Sequence, residues 1–314
     1  SPASALWALG LASQGAAGDT LAQMEAAIGM SADDLAALMG RVEGPARLCG
    51  YPLAPDADAP DDDPDLAPAE PLAEPALSVG NSLWLREGDG LQVDDGFLAR
   101  IAASYGAEVR AIPFDASGCQ AVNDWVARQT RGRIPRLLAS LPERGEMTLV
   151  NALALDAAWE SPYEDAQVGR ADFRNADGTA SSVDLMASTE HGYLEIAGGT
   201  GFTRPYADGP YAFAALLPPE GTALADYLAA LDGDALARVL ASPSFREVRA
   251  WLPAFEVRTH VDLTEPLRAL GIVDAFDPYD ADFGPLGSSS AGPLFIGGAV
   301  QACALEVDAE GTRG

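Results

Sequence analysis

Two histidines, His191 and His260, are the only imidazoles in the chain, and they stand far apart. No HExxH, CxxC or GxSxG pattern occurs, so neither a metalloprotease helix nor a nucleophile elbow is written here. All 19 basic residues are arginine. The absence of lysine removes the phosphate-binding lysine of common nucleotide hydrolases, the Schiff-base lysine of pyridoxal enzymes and any lysine general base. "GGTGF", from Gly198, has neither a clear strand before it nor a helix after it, so a dinucleotide reading fails on context. "DPYDADFG", from Asp277, reads as a turn, and "DADAPDDDPD", from Asp56, lacks the glycine and distal glutamate of a calcium loop. No catalytic residue, metal site or cofactor is expected. What remains is the ending "EVDAEGTRG", Glu306 to Gly314: a strand, "IGGAVQACALEV", runs into an acidic turn that opens on Gly311 and Thr312.

Composition narrows the partners. The formal charge of −28 repels phosphates, which excludes nucleic acid and anionic membrane surfaces. No run of about 18 apolar residues is present to form a membrane-spanning helix. With 314 residues, 48% of them hydrophobic, the chain can bury about 75% of its unfolded surface without staples. Cys49, Cys119 and Cys303 are odd in number and widely spaced, so they read as small buried hydrophobes rather than a disulfide framework. No signal peptide is visible, but the chain also opens without Met, and the expectation is that the true start lies upstream.

The elements that must carry the acidic ending are legible in part. Pro2 starts a helix running on through Ala16. "GDTLAQMEAAIG" supplies another, with Asp19 or Thr20 as cap, Leu21, Met24 and Ile28 on one face, and Gly29 closing it. Residues 52–75 hold seven prolines and eight acids, which predicts an extended, solvated surface loop. "LSVGNSLWL" alternates as a strand, and "GFLARIAASYGAEVRAIPF" is a helix followed by a short strand. A helix with Val122, Trp125 and Val126 on one face ends at Gly132. "MTLVNALALDAAWESPY" lacks alternation and reads as a strand buried on both faces. Asp177-Gly178 marks a hairpin, "YAFAALLP" and "VRAWLPAFEV" are further strands, and "DLTEPLRALGI" is a short helix with Leu263, Leu267 and Leu270 inward. Strands and helices mix without βαβ regularity and no linker divides them, so the expected class is α+β in one domain spanning 1–314.

Five stretches, taken in order, resemble the serpin family. "SPASALWALGLASQGAAGDTLAQM" is similar to its Ser-Pro-x-Ser helix and the Gly-Ala-x-Gly-x-Thr that follows. "VNDWVARQTRGRI" matches Ile-Asn-x-Trp-Val and Thr-x-Gly-Lys-Ile, with Arg133 in place of the lysine. "LVNALALDAAWESPY" keeps Asn151, Trp159 and Pro162 of the family pattern. "WLPAFEVRTHVDLTEPLRALGIVDAF" resembles the Leu-Pro-x-Phe segment and its Leu-Gly-Ile helix end, and "ALEVDAEGTRG" resembles the hinge of a reactive centre loop.

The resemblance implies the serpin fold: three β-sheets with a cap of about eight to nine helices. It implies inhibition of a serine or cysteine protease, with no enzyme activity. The protease cuts the exposed loop and forms an acyl-enzyme; the cut loop then inserts as a strand between those carrying Trp159 and Leu305. The alternative within the family is a non-inhibitory binding or carrier module. Glu310, Gly311, Thr312, Arg313 and Gly314 match the hinge. Continuing the period of two from Val307 puts Ala309, Gly311 and Arg313 on one side and Glu310, Thr312 and Gly314 on the other. Insertion then needs Thr312 and Gly314 inward and leaves Arg313 outward and solvated. Ser1, Ser4 and Asn151 match a polar cluster beneath the central strands, with Gln301 where a histidine is common. Trp159 matches the tryptophan where the loop first enters. Ala309 replaces a usual glutamate and Arg313-Gly314 a usual Glu-Ala; glycine costs more entropy to order and should slow insertion. The acidic 52–75 loop stands where many members carry a basic heparin-binding helix, which argues against heparin. The implied state is a secreted monomer, with a cytoplasmic location as alternative. The family's first helix, the rest of its loop and its last strands have no counterpart, so an incomplete domain is expected, with the scissile bond and target protease outside the chain.

Overall fold

The helix ends show how local chemistry lays out the chain. In this computed structural model the described residues are 1–47, 77–88, 90–141, 147–175, 177–207, 210–290 and 292–314; Cys49 and the acidic 52–75 stretch lie outside them. α1 (Pro2–Ser13) follows Ser1, whose hydroxyl accepts from the Ser4 N–H. α2 (Gly18–Ile28) does not use Asp19 or Thr20 as its cap. The cap position is Ala17; Asp19 lies in the first turn, where its charge suits the helix dipole, and the Thr20 hydroxyl accepts the Asp282 N–H at 2.9 Å. Gly29, at φ +83°, closes the helix. α3 (Ala32–Arg47) and β1 (Leu77–Arg86) follow, then β2 (Leu91–Val93) and α4 (Asp95–Tyr105), whose cap is Asp94. After β3 (Glu108–Ile112), α5 (Ala116–Gln129) is capped by the Asp115 carboxylate and stops at Gln129, three residues short of Gly132. Arg131 and Gly132 turn left-handed, and the Gly132 N–H reaches back to the Ala127 carbonyl at 2.7 Å.

Two compact units emerge, each from several pieces of chain: residues 1–155, 258–304 and 314 form one, residues 156–257 and 305–313 the other. In the first, one core gathers Trp7, Met24, Leu35, Phe97, Ile101 and Ile272, and a second gathers Trp84, Val122, Trp125, Val126, Val150 and Ala152. β4 (Met147–Ala158) serves both. Val150, Ala152 and Ala154 are buried, while Leu149 and Leu153 are half-buried against the first core. The strand therefore alternates, which its uniformly apolar sequence conceals. β1 pairs antiparallel with β4 and parallel with β3.

The second unit holds a sheet ordered β5-β6-β7-β8 with β9 added to β6: β5 (Val168–Arg174), β6 (Ala180–Ile196), β7 (Gly199–Pro205), β8 (Ala212–Leu217) and β9 (Ser244–Pro253). The β5–β6 turn is built on Asp177, whose carboxylate accepts from the Thr179 N–H, and on Gly178 at φ +83°. The "GGTGF" stretch is a second hairpin: Ala197 and Gly198, both left-handed, join β6 to β7. Strands therefore flank this stretch on both sides, which the sequence reading missed. α6 (Leu224–Ala230) and α7 (Gly233–Ala241) precede β9.

β10 (Phe255–Asp262) leads to α8 (Thr264–Ala269), then β11 (Gly287–Ser289), which pairs with β2. β12 (Val300–Val307) and β13 (Gly311–Arg313) complete a six-stranded sheet ordered β10-β12-β13-β4-β1-β3. Three sheets and eight α-helices are present among the described residues, an α+β fold.

One core assignment is corrected. Leu267 is buried, but Leu270 is 64% exposed. α8 ends at Ala269; Gly271, at φ +98°, reverses the chain and delivers Ile272 into the core with no exposure. Ile272→Ala should therefore cost about 2–5 kcal/mol, and Leu270→Ala about 0.5 kcal/mol or less. Urea midpoints of the two variants check this, and a larger loss at Leu270 would refute the assigned register.

Candidate functional site

Asn151 sits at the centre of a hydrogen-bonded set in the first unit. The Ser4 hydroxyl donates to its Oδ1 at 2.5 Å, and its Nδ2 donates to Asn81 Oδ1 at 2.9 Å and to the Gly80 carbonyl at 3.4 Å. Asn81, only 3% exposed, donates in turn to the Tyr105 carbonyl at 2.7 Å. Ser1 and Gln301 form a second, more exposed set: the Ser1 nitrogen donates to Gln301 Oε1 at 2.7 Å, and Gln301 Nε2 donates to the Ser1 carbonyl at 2.8 Å. Cys303 Sγ lies 3.1 Å from the same nitrogen. Ser1 links the sets through its hydroxyl, which accepts the Ser4 N–H at 3.3 Å. Asn81 was not singled out from the sequence, although an asparagine inside an apolar strand must find partners once buried.

In the second unit the acidic ending has a definite geometry. β13 lies between β12 and β4 and is antiparallel to both. Thr312 pairs with Val307 on one side and Ala157 on the other, and the three are 2%, 1% and 3% exposed. The next row, Glu306–Arg313–Asp156, belongs to the opposite face, because successive side chains alternate. The uninterrupted period of two had set Val307 with Arg313. A tight turn at Asp308–Glu310 reverses the chain instead, so Val307 shares its face with Thr312.

Asp308 organises that turn. Its Oδ1 accepts the Glu310 N–H at 2.8 Å and the Gly311 N–H at 3.0 Å, and its Oδ2 pairs with Arg313. Burial pushes this carboxyl up, but the Arg313 guanidinium and the two backbone N–H groups outweigh it and hold the pKa below the ordinary carboxylate value. Arg313 also reaches Glu310 at 3.1 Å. Its side chain is 23% exposed, so it is outward but held in ion pairs rather than solvated as expected.

Trp159 clamps the same turn from the side. Its indole N–H donates to the Asp308 carbonyl and its backbone N–H to the Glu310 carbonyl, both at 2.9 Å, while the Tyr163 N–H takes the Ala309 carbonyl at 2.9 Å. The indole is 1% exposed, stacked on Tyr206 with centroids 4.9 Å apart and edge-on to Tyr163 and Phe213. The Arg204 guanidinium lies 4.0 Å from the centre of the Tyr163 ring and pairs with Glu190; both charged side chains are 8% exposed. Burial raises the Tyr163 and Tyr206 phenols, opposed at Tyr163 by the Ser188 hydroxyl and Arg204. Neither Arg204 nor Glu190 was legible as a site residue, since nothing local distinguishes them from surface charges. His191 stacks on Phe245, and His260 contacts the Leu137 carbonyl at 2.9 Å; both are exposed.

The arrangement is a short strand hydrogen-bonded to a neighbour on each side and preceded by a braced turn. The comparisons with known proteins agree with that architecture. The family model described as Serpin (serine protease inhibitor) matches residues 1–314, and the chain belongs to this family. It is 27% identical over its whole length to Iripin-8 of Ixodes ricinus, covering 74% of that protein. Plasminogen activator inhibitor 1 of Bos taurus is 28% identical over 77% of the chain, which covers 62% of that relative. Among solved structures, the thermophilic serpin tengpin in the latent state aligns over the whole chain and 80% of its own length, with a TM-score of 0.84 and 32% identity.

Two outcomes follow. Asn151→Ala leaves the Ser4 hydroxyl and Asn81 amide short of a partner and should cost about 1–3 kcal/mol; an unchanged thermal midpoint would count against this network. Asp308→Asn should destabilise the protein at pH 7. The native pKa is depressed, so the carboxylate's contribution is complete above its unfolded value of about 3.9 and fades as pH falls through the folded one. The stability gap between wild type and variant, measured by denaturation from pH 7 to 3, should therefore close with acidification. A gap that stays constant would show that Asp308 acts through something other than its charge.

Proposed function

We propose that the protein inhibits serine-type endopeptidases as a suicide substrate, outside the cell and as a monomer, with loop insertion between β4 and β12. The observation that carries this reading is β13 itself: Gly311 to Arg313 already pair with both strands, with Thr312 turned inward. The protease hydroxyl, or a cysteine protease's thiol, attacks the scissile carbonyl, which the resemblance puts after Gly314. The peptide amine leaves with a proton, and an acyl-enzyme forms. Continued zipping of the new N-terminal segment past Gly314 then carries the enzyme away from the cut before water can release it. Glu310 to Gly314 act as the hinge, Trp159 as the post where the loop enters, and Ser1, Ser4, Asn151 and Gln301 as hydrogen bonds that tie α1 to the central strands. The net charge of −28 argues against heparin as a cofactor.

The test is Thr312→Arg in the full-length protein. A long charge would enter a dry row, at an effective cost of several kcal/mol, and each 1.4 kcal/mol felt at the barrier is about tenfold in rate. Cutting and deacylation need no insertion and should continue. The number of inhibitor molecules consumed per protease inactivated should therefore rise steeply, and the SDS-stable complex should vanish. Undiminished trapping by the variant would overturn the hinge assignment. Clean cleavage of the wild type across a protease panel would point to a binding or carrier member instead.

A further inference from the structure

An arginine among acids is unremarkable in a chain with 47 acidic residues and 19 arginines. Its register is not. Arg313 is paired directly with Glu306 on β12 and with Asp156 on β4, so both of its cross-strand neighbours are carboxylates on its own face. The turn adds Asp308 and Glu310, each ion-paired to the guanidinium. One row further along, the facing residues are Val307, Thr312 and Ala157, with no charge at all.

We propose that Asp156 and Glu306 form a cation-accepting subsite at the opening between β4 and β12, which selects an extended strand carrying a guanidinium or ammonium at position 313, while Asp308 and Glu310 hold that cation from the turn of its own segment. The proposal rests on the insertion reading of β13 and assigns Arg313 as a positioning residue for it. Asp156 and Glu306 stand level with each other across β13. If β4 and β12 closed directly, two carboxylates would meet as neighbours, and like charges so placed are destabilising. A cation between them removes that repulsion and adds attraction to each. The empty opening thus resists closure, and the filled one favours the arginine. The partial burial of Arg313 and Asp308, 23% and 33% exposed, strengthens the interaction over a fully solvated pair. The guanidinium is also held more firmly protonated, by Asp308 first, with burial acting against it and Glu306 and Asp156 adding to it.

The experiment uses the full-length protein and reads hydrogen exchange at the amides of residues 311–314, in low salt and in about 0.5 M NaCl, where screening shortens the reach of charge. Arg313→Lys should keep protection within about threefold, Arg313→Gln should lose part, and Arg313→Glu should lose tenfold or more, on the scale of about 1.4 kcal/mol per decade. Glu306→Arg added to Arg313→Glu should restore part of the loss, and wild-type protection should fall with salt. Exchange at the core residues Ile101 and Val122 verifies folding in each variant. Unchanged protection in Arg313→Glu would overturn the proposal. So would a loss in Arg313→Lys as large as in Arg313→Glu, which would mean that shape rather than charge decides. Protease trapping by the wild type is scored separately. Its failure would remove the inhibitor reading while leaving the charge result at the hinge standing.

Discussion

The pairing of residues 311–313 with β12 on one side and β4 on the other is the constraint on which the geometry of the acidic ending depends. A strand with two partners has both of its faces specified by its neighbours. A slip of one residue would send Arg313 into the Val307–Ala157 row and Thr312 out among the carboxylates. The period of two makes such a slip all or nothing. The turn that precedes β13 must therefore be held tightly, and it is: the carbonyls of Asp308, Ala309 and Glu310 are all taken by N–H groups of Trp159 or Tyr163.

That demand accounts for the aromatic and charged groups packed around Trp159. Trp159 can donate to the turn only if its ring is fixed, and Tyr206, Tyr163 and Phe213 fix it on three sides. Tyr163 is itself covered by the Arg204 guanidinium, and Arg204 would be a costly buried charge without Glu190. Arg204 also donates to the Ser161 carbonyl, tying down the segment between Trp159 and Tyr163. A buried ion pair of this kind contributes little net stability. Its value is orientation, passed along from ring to ring until it reaches a three-residue strand.

Much of this was legible in the sequence where the signal is local. Gly29 closing α2, the Asp177-Gly178 hairpin and the face of Val122, Trp125 and Val126 follow from torsional preference and periodicity, and the structure has them. The ordered motifs also led to the serpin family, which the family model matches over residues 1–314. What could not be read depends on partners distant in sequence. Leu270 and Ile272 look equally apolar, and only the left-handed Gly271 decides which is buried. Val307 and Thr312 share a face because Asp308 turns the chain, and nothing in "EVDAEG" fixes where the reversal falls. Asn81 shows its role only when paired against Asn151, 70 positions away. Arg204 and Glu190 become a pair only once β6 and β7 are aligned.

Three consecutive residues of β13 answer to three different forces. Gly311 is chosen for proximity rather than torsion: a Cβ there would stand 2.2 Å from the Ala157 carbonyl oxygen, so any side chain would push the strand off β4. Thr312 is chosen for size, since it enters a buried row between Val307 and Ala157. Arg313 is chosen for charge, since carboxylates precede it on both flanks and in the turn. The family pattern that this stretch resembles has glutamate at that position, which four surrounding acids would repel. The arginine and its acidic neighbours are therefore one feature, and neither half makes physical sense without the other.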